Sequence, residues 1–298
     1  MRIMKVLGVV VGAVLALGIV AIAALYVVSG HRMRRHYELR AEQVAVPTDP
    51  EEIKRGGHIA MVRGCTDCHG ADLSGKQFIH DAMLGTFYTP NLTAGAGGIG
   101  RTFAVTDWEH ALRHGTTPDG RGLLIMPSLE FHVLGDEDVG ALIAYLQSLP
   151  PVDHEWPASR VGPLGRMLLV FNLAPVIPAE SIDHAAAHTK APTPGLTPEY
   201  GAYLAVSCKG CHQEDFAGGK IPGMHGLIAA NLTMDQTTGL GRWSEGDFSK
   251  AMRTGTRPDG SQLNPIMPLL ITGNMTDQEV GAIWQFLRSL PVRPARTE

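Results

Sequence analysis

With 298 residues, 44% of them hydrophobic and 18% charged, the chain suits one or two folded domains and is too apolar to be disordered. Its net charge of −4 gathers no basic patch: residues 41–150 hold seven bases against fourteen acids and residues 195–298 nine against ten, which argues against nucleic-acid binding. All four cysteines fall in two short motifs, so no disulfide framework is available outside them.

In chain order, the first predicted element is a transmembrane helix within residues 1–30. Val6 to Gly30 carries no charge, and a helix of that length spans roughly 38 Å, more than the ~30 Å of a bilayer core. Ala21-Ile22-Ala23 has the look of a signal cleavage site, but the apolar run continues through Leu25 to Val28, so an uncleaved anchor is expected. Residues 31–48 follow as a polar, basic spacer.

Residues 49–152 form a first module and 195–298 a second, because the same segments recur in the same order. "GCTDCHG" at Gly64 is answered by "SCKGCHQ" at Ser207, and "PNLT" at Pro90 by "ANLT" at Ala230. "HALRHGTTPDG" from His110 is answered by "KAMRTGTRPDG" from Lys250, "LIMP" by "PIMP", and "YLQSLP" by "FLRSLP". Each module is predicted to be helical. A short helix places Trp108, Ala111 and Leu112 (or Phe248, Ala251 and Met252) on one side and closes at Gly115 or Gly255 in the left-handed position. A final helix carries the stripe Val139, Leu142, Ile143, Leu146, Leu149, repeated as Val280, Ile283, Trp284, Leu287, Leu290. Thr276 and Glu279 predict a capping box at the start of the second such helix. His110 and His114 lie four apart, a spacing that can clip a metal, but their repeat partners Lys250 and Thr254 would not, so a solvated helix face is the favoured expectation there. Residues 153–194 make a proline-rich connector whose Leu164–Val176 stretch is apolar enough to pack.

The chemistry rests on Cys65, Cys68 and His69, and on Cys208, Cys211 and His212. A structural zinc site would need ligands pooled from two separate repeat units. A redox dithiol leaves the histidine after the second cysteine unexplained. Covalent haem c accounts for all three residues: two thioethers to the vinyl groups and an imidazole aimed at the iron. Two haems are therefore expected. Met126 and Met267, each followed by proline, are the favoured sixth ligands, with Met83 and Met224 as rivals. Trp108, Trp243, Arg101 and Arg242 are candidates for contact with haem propionates, with core packing or ordinary surface as the alternative.

These motifs resemble class I cytochrome c domains in tandem. More closely, residues 45–298 are similar to the membrane-anchored dihaem cytochromes c that serve periplasmic alcohol and gluconate dehydrogenases, down to "IDHAA" at Ile182. The resemblance implies an all-α fold and an electron-transfer role rather than catalysis. It implies haem domains on the periplasmic side of the cytoplasmic membrane, and redox partners: a dehydrogenase or quinone-linked complex upstream, a cytochrome or oxidase downstream. It also implies that the Pro90 carbonyl accepts from His69 Nδ1, with Ala230 in the matching place. A terminal-oxidase cytochrome subunit and a dihaem enzyme of peroxidase or thiosulfate-oxidising type are the alternatives. The acidity of the first module leads to the further expectation of a basic partner docking there, steered by acids such as Asp136, Glu137 and Asp138.

Overall fold

The computed structural model describes residues 2–40, 43–188, 190–221, 224 and 226–296. Helix α1 (Arg2–Met33) leaves its apolar length exposed until Ser29 and Gly30. There it docks on the connector: Arg166 donates to Ser29 Oγ at 2.7 Å and lies over the Tyr26 ring, while Arg32 pairs with Glu180 and donates to Asn172 Oδ1 at 2.8 Å. The basic segment beyond it lies along the first module. The Tyr37 N–H donates to the Gly120 carbonyl at 2.8 Å, and Val44 enters that module's core.

The first module runs α2 (Pro50–Val62), α3 (Cys65–His69), a hairpin β1 (Lys76–Asp81) and β2 (Gly85–Thr89), α4 (Val105–Glu109), α5 (Ser128–Phe131) and α6 (Asp136–Ser148). In the connector, β3 (Arg160–Val161) pairs antiparallel with β2, and α7 (Pro163–Val170) packs on α1. The second module repeats the plan with α8 (Pro198–Leu204), α9 (Lys209–His212), β4 (Gly219–Lys220), β5 (Ile228–Ala229), α10 (Glu245–Thr254), α11 (Leu269–Gly273) and α12 (Asp277–Ser289). The helical reading holds. The small sheets are an addition to it, and β1 gave little sign of itself because its side chains do not alternate between core and solvent.

Local chemistry sets the helix ends. Asp49 accepts from the Glu51 and Glu52 N–H groups ahead of Pro50, and Thr197 accepts from the Tyr200 N–H ahead of Pro198. The expected capping box joins Thr276 and Glu279 in both directions, at 3.1 and 2.6 Å. Gly115 and Gly255 close their helices at φ 63° and 71°, as predicted, although the first module's helix widens into a π turn over His110–His114.

The first helix of each module crosses the last at a glycine. A Cβ on Gly56 would lie 1.9 Å from the Ala141 carbonyl oxygen, and one on Gly201 would lie 1.9 Å from that of Ala282. The two backbones touch there, which holds α3 and α9, only a few residues downstream, against their cores.

The modules pack reciprocally. His58 on α2 meets Glu279 on α12 at 2.8 Å, while Tyr203 on α8 donates to Asp138 on α6 at 2.5 Å. Glu130 on α5 lies against Gly210 of the second cysteine motif. Ile271, its repeat equivalent on α11, presses on Gly64 beside the first motif. The contact pattern is that of a two-fold interface built within one chain.

Candidate functional site

Helix α3 is one turn long, entered through Gly64 at φ 76° and left through Gly70 at φ 85°, so Cys65, Cys68 and His69 sit on a tight, isolated turn. The His69 Nδ1–H donates to the Pro90 carbonyl at 3.0 Å, and the His212 Nδ1–H donates to the Ala230 carbonyl at 2.8 Å. Because a carbonyl can only accept, each proton resides on Nδ1 and each Nε2 keeps its lone pair for a ligand. Burial pushes both histidines below their ordinary range and so favours the neutral, ligating form.

The loop that supplies these carbonyls is clamped identically in both modules. Asn91 Nδ2 donates to the Val152 carbonyl and Asn231 Nδ2 to the Arg293 carbonyl, both at 2.7 Å. Each asparagine's Oδ1 accepts from the N–H of Thr93 or Thr233 at 2.9 Å. The recurring "NLT" pointed to this loop, but not to its partners, which come from the chain just past the last helix.

All four cysteines are free thiols. Burial pushes Cys65 and Cys208 up to about 12, the reverse of what a redox dithiol or a zinc thiolate requires. In the second module Cys208, His212 and Met267 line one cavity of about 270 Å³, with Leu232, Leu240, Trp243 and Ile283 among its apolar walls. Met126 and Cys65 pack against the same core in the first module. Ile125, just before Met126, is held at φ 66° with its N–H donated to the Val176 carbonyl of the connector at 2.9 Å. By contrast Met83 and Met224 are exposed (55% and 41%) and neither lines the cavity.

These residues fit haem c. The donor set is a neutral imidazole, a thioether and two protonated thiols in apolar surroundings. In addition, the Trp108 Nε1–H is buried in the first core with no hydrogen-bond partner, a donor left for a polar edge to reach. Trp243 lines the second cavity, whereas Arg101 and Arg242 are exposed on the surface. Arg257, which sequence reasoning did not single out, lines that cavity within "TRPDG".

One expectation fails. His114 is 3% exposed, not on a solvated face, because His184 and His188 of the connector fold over it.

The family model for cytochrome c matches residues 53–150 and 198–291. Among curated proteins, the chain is 32% identical over 285 residues to the alcohol dehydrogenase (quinone) cytochrome c subunit of Gluconacetobacter polyoxogenes, covering 83% of this chain and 57% of that one. It is 30% identical to the gluconate 2-dehydrogenase cytochrome c subunit of Pantoea cypripedii, covering 82% and 60%. It is 27% identical to a dihaem cytochrome c-type protein of Cereibacter sphaeroides, covering 83% and 90%. The chain thus spans less than two thirds of the two dehydrogenase subunits.

Proposed function

The chain belongs to the cytochrome c family, and from that premise we propose that it is a membrane-anchored dihaem carrier, itself not a catalyst. It would take electrons from a quinone-linked dehydrogenase and pass them to a downstream cytochrome or oxidase. The observation that carries this reading is the duplication of one arrangement: a Cys-x-x-Cys-His turn whose histidine donates through Nδ1 to a backbone carbonyl, with a Met-Pro pair later in the same module. Haem c, when bound, supplies a reversible one-electron step.

The chain's own residues do the rest. Cys65 and Cys68, and Cys208 and Cys211, would hold the group covalently. Pro90 and Ala230 carbonyls fix the imidazole planes through Nδ1. Met126 and Met267 would each supply a soft thioether to the iron, which would raise the potential and leave no place for substrate. The reciprocal docking of α5 and α11 on the opposite cysteine motifs supports transfer between the two centres within one chain. The dehydrogenase as partner is supported by the names of the relatives. Anchoring in the cytoplasmic membrane, with both modules on the periplasmic side, is supported by the exposed apolar length of α1 and by haem attachment outside the cytoplasm.

The test is haem content after denaturation. Two haems per chain are expected, with one lost in the Cys65→Ala/Cys68→Ala variant and the other in Cys208→Ala/Cys211→Ala. One haem in the unmodified protein would overturn the reading. Recovery in the soluble fraction, with a chain starting near Ala24, would remove the anchor.

A further inference from the structure

The cluster around His114 plays no part in the arrangement above. Glu109 and Arg113 are fully buried, as is His114 beside them. The second module has Ser249, Arg253 and Thr254 at the three matching positions. Arg253 does there what Arg113 does here: it pairs with the first residue of the module's final helix, Asp277 at 2.9 Å or Asp136 at 2.7 Å. The arginine–aspartate pair therefore belongs to the repeated architecture. The buried carboxylate and the histidines do not; the Arg113 guanidinium, 3.9 Å from Glu109 Oε1, offsets only part of the cost of burying that charge.

The hydrogen bonds around His114 leave a conflict beside this carboxylate. His184 Nε2 is 3.0 Å from the Ala179 carbonyl, so it carries a proton. A neutral His184 then has a lone pair on Nδ1, and His114 Nδ1, 3.0 Å away, must donate to it. His114 Nε2 is left with a lone pair facing Glu109 Oε1 at 3.5 Å. Two acceptors facing each other repel, and a positive centre between them removes the conflict. His188 brings a third donor: one ligand atom from each of Glu109, His114 and His188 lies within 4.8 Å of the others.

We propose that Glu109, His114 and His188 bind a divalent transition-metal ion of the zinc type, clipping the connector onto the first module. Two imidazoles and a carboxylate suit zinc, whereas magnesium and calcium take oxygen ligands almost alone. Ligands about 2.0 Å from a tetrahedral ion stand roughly 3.4 Å apart. The His114–Glu109 spacing already matches this; His188 Nδ1 accepts from Arg113 Nη1, so metal binding would require this ring to turn and release that bond. Arg113 keeps Asp136 and the Leu134 carbonyl as partners. His110 Nε2, 3.7 Å from Glu109 Oε2, stands beside the fourth position.

The experiment is calorimetric titration of zinc sulfate into the chelator-stripped, haem-loaded protein. One zinc per chain with submicromolar affinity is expected. Glu109→Gln and His188→Ala should each weaken binding by about 100-fold or more, and His80→Ala, on the exposed hairpin, should leave it unchanged. Zinc-edge X-ray absorption of the unmodified protein gives a readout independent of whether the variants fold. A nitrogen/oxygen shell with imidazole scattering is expected. No stoichiometric binding, binding that survives His188→Ala in a folded protein, or a sulfur shell would each overturn the proposal.

Discussion

Met126 and Met267 were chosen over Met83 and Met224 because each precedes a proline and the final helix, and their surroundings point the same way. Met267 shares a cavity with Cys208 and His212, while the rivals lie on the surface. The ferric protein should therefore show the long-wavelength charge-transfer band of an iron–thioether bond. Met126→Ala and Met267→Ala should each remove about half of it, one of two such bonds. Loss of the band in Met83→Ala or Met224→Ala instead would reverse the assignment. The change from Pro90 to Ala230 alters little at the proximal side, because the group that accepts from the histidine is a backbone carbonyl in both modules.

Among the elements, the helix pairs α2–α6 and α8–α12 decide where the cysteine turns stand. Their crossings admit no side chain at Gly56 or Gly201, since a Cβ there would meet a carbonyl carbon at 2.5 Å as well as its oxygen at 1.9 Å. Neither helix can give way without pulling the adjoining α3 or α9 off its core. Gly56→Ala and Gly201→Ala should each destabilise the module they sit in by about 3 kcal/mol, the upper range for overpacking. Chemical denaturation followed through the haem absorbance checks this. A variant with an unshifted midpoint would mean that the crossing relaxes more easily than its backbone contact implies.

The whole molecule is held together partly by ionisable pairs across the module interface. The hydrogen bond from His58 to Glu279 raises the histidine above its ordinary value, against the opposing effect of burial. Burial pushes Glu279 up, but the bonds it accepts from His58 and the Thr276 N–H outweigh this and hold it below the carboxylate range. The histidine's contribution is complete below its unfolded value and is lost as pH rises through its raised folded value. The glutamate's is complete above its unfolded value and is lost as pH falls through its lowered one. Both are present between about pH 5 and 6. Glu279→Gln keeps an acceptor for the Thr276 cap but loses the charge, so it should cost about 1 kcal/mol in that window, a modest value because His58 is one-third exposed. The difference from wild type should shrink by pH 9, and a thermal midpoint difference that is flat with pH would remove the pair from the interface. Of the acids expected to steer a basic partner to the first module, Glu137 is exposed while Asp136 and Asp138 also serve internal contacts. Asp138 is bound to Arg55 and Tyr203, and Asp136 to Arg113, which leaves Glu137, with Asp67 beside the first cysteine motif, as exposed acids to meet a basic partner.

The sequence by itself determined the repeat, the cysteine–histidine turns and the final helices. Each of these is written in contiguous residues whose spacing or side-chain chemistry acts locally. The Gly115 and Gly255 closures and the Thr276–Glu279 box are of the same kind. What only the tertiary structure decided is what meets across long stretches of chain. Helices α2 and α8 carry glycines where an apolar stripe would have announced them, because what faces those positions is backbone and not a side chain. The asparagine clamps join residues 61 and 62 apart. His114 looked solvated because its burial is imposed by connector residues 70 or more positions away. The reciprocal module contacts, with His58 and Glu279 separated by 221 residues, pair side chains that are ordinary on either helix alone. Local patterns specify elements, but which charged or polar group is desolvated, and by what, is set only when those elements pack.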